Sequence, residues 1–95
     1  MRVISRKAIV RFGGLHPGAL AALDAWYRTT LRAHWRSLVE TREDFPHADL
    51  VGERTVFNIG GNKYRLIARV SYRTQRVFIR AILTHAEYDK GGWKK

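Results

Sequence analysis

Between Lys63 and Arg73 the chain alternates strictly, and this alternation constrains its fold more than any other feature. Tyr64, Leu66, Ala68, Val70 and Tyr72 point one way, while Lys63, Arg65, Ile67, Arg69 and Arg73 point the other. A period of two does not fit a helix, so the segment reads as a strand with one dry face and one basic face. The following run repeats the pattern, with Val77, Ile79, Ala81 and Leu83 on the apolar side and Arg76, Arg80, Ile82 and Thr84 opposite. Folding about Thr74-Gln75 superposes the two apolar sets and sets Arg69 directly across from Arg80. Upstream, Gly60-Gly61 is flanked by Asn58 and Asn62, and these residue types accept the positive φ that a tight hairpin turn demands. Folding there brings Thr55, Phe57 and Ile59 to the apolar face, and Arg54 and Asn58 to the basic one. A slip of one residue would scatter charge into the core, so the hydrophobic pattern sets the register. Three strands are therefore expected, at 54–59, 63–73 and 76–85.

The first half of the chain reads differently. Residues 2–12 mix apolar and basic positions; the opening half suits a strand and the rest a helix or loop, which Gly13-Gly14 is expected to interrupt. Pro17 suits the first turn of a helix, where its missing N–H costs nothing. From there Leu20, Leu23, Tyr27, Leu31, Trp35 and Leu38 recur every three or four residues as a helical stripe. Unbroken from Pro17 to Glu43, that helix would be about 40 Å long at 1.5 Å per residue. A chain of 95 residues forms one small domain, here residues 1–95, and cannot use such a rod. A break is expected near Thr29-Thr30, giving two packed helices. Phe45-Pro46-His47 ends the helical region. The sum is an α+β fold of order β-α-α-β-β-β, an antiparallel sheet with two helices packed on one face.

The sheet's second face carries the functional signal. The chain holds 18 Lys+Arg against 8 Asp+Glu, a net +10, and 13 of the 18 cations are arginine. Lysine would serve solubility equally well, whereas arginine's planar fork suits phosphate. Like charges opposed on a sheet destabilise it by a few tenths of a kcal/mol, up to about one. A sheet built only for stability would interleave acids; here Arg54, Lys63, Arg65, Arg69 and Arg80 share a face without one. A solvated basic face is the plain alternative, and a groove for a nucleic-acid backbone is the functional one. Arg73 and Arg76 extend the same basic set.

Chemistry is constrained by what is missing. With no cysteine, the chain has no disulfide, no thiolate metal site and no cysteine nucleophile. No second histidine lies at ligand spacing from His85, and no phosphate-binding or dinucleotide glycine motif is present, so neither metal nor cofactor is expected. His16, His34 and His47 sit at loop or helix positions without chemical neighbours. His85 closes the last strand with Tyr88 and Asp89 behind it; it reaches the basic face only if the strand ends or bulges there, and a capping role is the alternative. The basic start, Met1 to Lys7, is followed by only Ala8-Ile9-Val10, too short for a secretory signal, and no run approaches a membrane span. A cytoplasmic protein is expected.

The run Val56-Phe57-Asn58-Ile59-Gly60-Gly61-Asn62-Lys63-Tyr64-Arg65-Leu66, with Phe78-Ile79-Arg80 and Thr84-His85-Ala86-Glu87-Tyr88-Asp89, resembles the HigB family of bacterial toxins. Val3-Ile4-Ser5-Arg6, His16-Pro17 and Trp26-Tyr27-Arg28 extend the resemblance over nearly the whole chain, in order. Gly13-Gly14 departs from it, where relatives tend to carry bulkier or charged residues. The resemblance implies a RelE-like fold and a ribosome-dependent endoribonuclease that cuts mRNA during translation. It implies a HigA-type helix-turn-helix antitoxin as partner, while the sheet-located charge, in place of an amphipathic basic helix, argues against a membrane. It also implies a site of Asn62, Arg65, Arg80, His85 and Tyr88, with Lys63 at a position where the family tolerates an acidic residue. Arg65, Arg80, His85 and Tyr88 are the expected catalytic set. Arg54, Asn62, Lys63, Arg69, Arg73 and Arg76 are the expected RNA contacts. A non-catalytic basic RNA- or DNA-binding module is the alternative, for which the basic face alone would suffice.

Overall fold

The computed structural model describes residues 1–94. Strand β1 (Arg2–Ile4) leads into helix α1 (Arg6–Leu15), and a short 3-10 turn at Pro17–Ala19 starts helix α2 (Leu20–Arg32). Helix α3 (Leu38–Asp44) precedes strands β2 (Asp49–Val51), β3 (Arg54–Ile59), β4 (Tyr64–Ser71) and β5 (Arg76–Thr84). Helix α4 (His85–Asp89) and a 3-10 turn at Gly92–Lys94 end the described chain.

The sheet runs β1-β5-β4-β3-β2. The three strands read from the alternation are present within a few residues of their expected ends, and the α+β class holds. Two additions complete the sheet. β1 lies parallel to β5, pairing Val3 with Val77, and β2 forms a short antiparallel edge on β3. The sheet is thus mixed, with one parallel edge, rather than wholly antiparallel.

Local chemistry explains the helices. Ser5 caps α1 by accepting the Lys7 N–H at 3.2 Å, and Ser37 caps α3 by accepting the Glu40 N–H at 3.3 Å. Gly13-Gly14 does not interrupt α1, which runs through both to Leu15. Gly13 lies where α1 meets the start of α2, and a Cβ at that position would displace the Leu20 side chain. The expected break at Thr29-Thr30 falls three residues later. Thr30 is fully buried inside α2, and the chain becomes extended at Ala33. Trp35 therefore sits in the link between helices, where its indole N–H donates to Asp44 at 2.8 Å. There it joins Trp26, Phe45 and Phe57 in an aromatic cluster with ring separations of 5.4–6.5 Å.

The core lies between the helices and one sheet face, and contains Ile9, Phe12, Leu23, Trp26, Phe57, Ile59, Leu66, Ala68 and Val77. The β4–β5 register differs from the expected one. Ala68 pairs with Ile79 but Ile67 pairs with Ala81, so Arg80 is the extra residue of a β-bulge. Arg69 therefore lies opposite Phe78, not Arg80. Beyond the bulge the faces of β5 exchange: Ile82 packs on the core, while Ala81 and Leu83 stand opposite Ile67 and Arg65 on the far face.

That far face is not open basic surface throughout. Val56 and Ile67 pair across it and are 3% and 0% exposed, although they lie outside the helix-side core. The chain after β5 folds back onto this face: Tyr88 sits against Arg65, and the Trp93 carbonyl accepts from Arg54.

Candidate active site on the far face of the sheet

The β3–β4 turn builds one wall of the site. Gly60 and Gly61 adopt φ of +63° and +70°, the left-handed conformation expected of them. The turn delivers Asn62 to the start of β4, where its side-chain oxygen accepts from Arg65 Nη2. Arg65 Nη1 donates to the Tyr64 carbonyl at 3.1 Å, and its guanidinium carbon lies 5.4 Å from the Tyr88 ring centre. Arg65 is only 8% exposed. A buried cation is costly unless its donors are used; here two hydrogen bonds and an aromatic face compensate it and hold it in one orientation.

Helix α4 builds the other wall. Thr84 ends β5 and begins α4 through a capping box: its hydroxyl accepts the Glu87 N–H at 3.2 Å, and its own N–H donates to the Glu87 carboxylate at 3.0 Å. The Thr84 backbone N–H, and then its side chain, hold the Glu87 carboxyl below the usual carboxylate range. The box turns the chain sharply, and the His85 N–H is tied to the Lys63 carbonyl at 3.0 Å. His85 thus abuts the glycine turn. Both conditions for His85 to leave the core face are met, since β5 bulges at Arg80 and ends at Thr84. Its Nδ1 lies 2.8 Å from Asp89 Oδ2, one helical turn on, which leaves Nε2 for other partners. His85 is half-buried, so one side of the ring reaches solvent.

The structure therefore brings Asn62, Arg65 and Tyr88 into contact, with the backbones of Lys63 and His85 joined between the turn and α4. Arg80 is exposed at the bulge four residues before Thr84, and Arg69 is exposed on the same face, opposite Phe78. Arg54 lies at the start of β3, held by Trp93. Arg73 and Arg76 are not brought to the cluster. They flank the β4–β5 turn at the other end of the hairpin, about 20–25 Å from Arg65 at 3.3 Å per residue. Arg76 there neighbours Arg2 of β1.

Two participants were not among the expected site residues. Asp89 orients His85, a role readable only once four-residue spacing is known to be helical. Trp93 stacks on Tyr88 with ring centres 5.0 Å apart and planes 15° apart. His16 is stacked on Phe12 at 4.4 Å beside Tyr64 and supports the core side. Among the described residues, no three His, Asp or Glu side chains converge as a metal site. No described helix is long and apolar enough to cross a membrane.

Such a site can hold and polarise a phosphodiester. A preorganised guanidinium meets the charge, imidazole exchanges a proton, and an aromatic ring receives a base.

Comparison with known proteins agrees with this chemistry. Residues 19–91 match the HigB_toxin family model, described as the RelE-like toxic component of a toxin–antitoxin system. The mRNA interferase toxin HigB of Escherichia coli is 30% identical over 92 residues, covering 94% of this chain and 88% of the relative. The mRNA interferase HigB of a second Escherichia coli strain is 32% identical over 93 residues, covering 95% and 90%. That of Shigella flexneri is 30% identical over 92 residues.

Proposed function

This chain belongs to the HigB family of RelE-like toxins, the toxic components of toxin–antitoxin systems, and from that premise we propose that it is an endoribonuclease that cleaves mRNA on the ribosome. The observation that supports the reading is the contact of Arg65 with Tyr88 beside the β3–β4 turn, with the His85 N–H bonded to the Lys63 carbonyl, in a family whose curated members are named mRNA interferases.

The reaction is attack of a ribose 2′-oxygen on the adjacent phosphorus, with departure of the 5′-oxygen of the next nucleotide. The 2′-hydroxyl gives up its proton, the phosphorane carries extra negative charge, and the leaving oxygen gains a proton. His85 exchanges one of these protons through Nε2, its other nitrogen being held by Asp89. Arg65 meets the phosphorane with a guanidinium already fixed in place, so little reorganisation is needed as charge develops. Arg80, free of described partners at the bulge, supplies the second cation. Tyr88, its ring already held between Arg65 and Trp93, takes the other proton-transfer role through its hydroxyl. Asn62 positions Arg65, and Lys63 and Arg54 hold flanking phosphates. Arg69, Arg73 and Arg76 carry the basic tract toward the ribosomal RNA.

A toxic component of this kind has an antitoxin partner; a HigA-type helix-turn-helix protein is the form proposed, with residues 1–95 acting as one cytoplasmic domain. The test is induced expression followed by mapping of mRNA 5′ ends, wild type against His85→Ala and Arg65→Ala. New ends inside translated reading frames, lost in both variants while each stays folded, are expected. Growth arrest without new ends, or undiminished cleavage by both variants, would overturn it in favour of a non-catalytic binding module.

A further inference from the structure

Beside the cleavage cluster, a cleft of about 280 Å³ is lined by Val51, Gly52, Glu53, Arg54, Trp93 and Lys94. We propose that this cleft is a subsite for one unpaired RNA nucleotide flanking the cleaved bond, with its base stacked on Trp93. The inference rests on the nuclease reading and adds a residue to it.

Four observations carry it. The Trp93 indole is fixed rather than loose: its N–H donates to the Tyr88 carbonyl at 3.0 Å, and its ring lies parallel to Tyr88 at 5.0 Å. Tyr88 already spans Arg65 and Trp93, so the stack leads from the cluster toward the cleft. Trp93 is partly exposed, unlike Trp26 and Trp35, which are 1% and 3% exposed in the core. Two cations are close by: Lys94 Nζ lies over the ring, 5.6 Å from its centre, and the Arg54 guanidinium donates to the Trp93 backbone carbonyl. A partly exposed, fixed aromatic ring with cations close by is the kind of arrangement by which single-stranded nucleic acid is held, the base displacing the mobile Lys94 ammonium from the ring and the cations taking the phosphate. Glu53 on the same wall offers a carboxylate to a base amino or imino group, which would favour bases that present such a donor.

The test uses a fluorescein-labelled single-stranded RNA hexamer with 2′-O-methyl riboses, which the proposed attack cannot cleave. Trp93→Ala is expected to weaken its binding roughly 5- to 150-fold, the range for loss of one base–aromatic stack, whereas Trp93→Phe retains near wild-type affinity. With unlabelled hexamer, wild-type tryptophan emission is quenched, and Trp93→Phe loses the quench while still binding. Thermal unfolding run alongside shows whether each variant is folded. Unchanged affinity in folded Trp93→Ala, a quench that persists in Trp93→Phe, or no binding by the wild type overturns the subsite. Ribosomal cleavage measured in parallel separates the two readings. Cleavage without Trp93-dependent binding removes the subsite alone. Trp93-dependent binding without any cleavage removes the nuclease reading and leaves the subsite standing.

Discussion

Arg65→Lys isolates what the buried guanidinium contributes beyond its charge. Lysine keeps one positive charge but replaces a rigid fork with a flexible point donor. In the folded protein Arg65 uses one nitrogen on Asn62, another on the Tyr64 carbonyl, and its plane against Tyr88. A lysine can satisfy at most part of this set, and whatever it gives to Asn62 it withholds from the phosphate. Losing one hydrogen bond to a charged group costs about 1.5–3 kcal/mol, so cleavage should fall roughly 10- to 150-fold. Arg65→Ala removes the charge as well and should fall further, by about 10²- to 10³-fold or more. The folded state loses about 1 kcal/mol in Arg65→Lys, seen as a Tm lower by roughly 4–8 °C for a domain of this size. The assay is single-turnover cleavage of mRNA on programmed ribosomes, with thermal unfolding on the same preparations. Wild-type cleavage by Arg65→Lys would show that charge alone suffices, and would refute the argument from orientation.

His85→Ala should lower the cleavage rate by about 10²- to 10⁴-fold, the usual span for a proton-transfer group, with little change in Tm; equal rates in the two proteins would remove His85 from the chemistry. Thr84→Ala should destabilise by about 1 kcal/mol through loss of the α4 cap and weaken cleavage by loosening His85 and Tyr88, both followed on the same samples. The same box carries a pH signature. The folded-state pKa of Glu87 lies below its ordinary value of about 4.3, so its contribution is complete above that value and is lost as the pH falls through the lowered one. Amide exchange in α4 should accelerate over that acid range in the wild type but not in Glu87→Gln. Arg80→Ala should keep the fold and lose roughly 10- to 100-fold in cleavage if its charge serves the phosphate. Deleting Arg80 should remove its charge but keep the fold, because Ile79 and Ala81 would then pair consecutively with Ala68 and Ile67 and Ala81 to Thr84 would keep their faces; a deletion variant that fails to fold would contradict the bulge.

The sheet was legible because its information is local. Gly60-Gly61 announces a positive-φ turn, and the Tyr64 to Tyr72 alternation faces a helix layer that rewards it. The bulge was not legible, because Ile79, Ala81, Ile82 and Leu83 are apolar on both parities, so either register buries grease. Only the covering of the far face by the C-terminal segment makes Ala81 and Leu83 acceptable there. Gly13 misled for a similar reason. Its role is set by Leu20, a neighbour in space across the α1–α2 contact, while its sequence context reads as a breaker. Among the site residues, His85, Tyr88 and Arg65 could be named from residue type and family motif. The burial of Arg65 and the part played by Trp93 depend on where the chain goes after Asp89, which no periodicity encodes.

The placement of β5 has a consequence for how such a chain comes into being. β5 lies between β4 and β1, joining the last strand made to the first. During synthesis the N-terminal strand and its helices must wait for residues 76–84 before the sheet can close. His85, Tyr88 and Trp93 follow only after that. Closure of the sheet and assembly of the proposed site therefore draw on one continuous stretch, residues 76–93, and neither can form until that stretch is available.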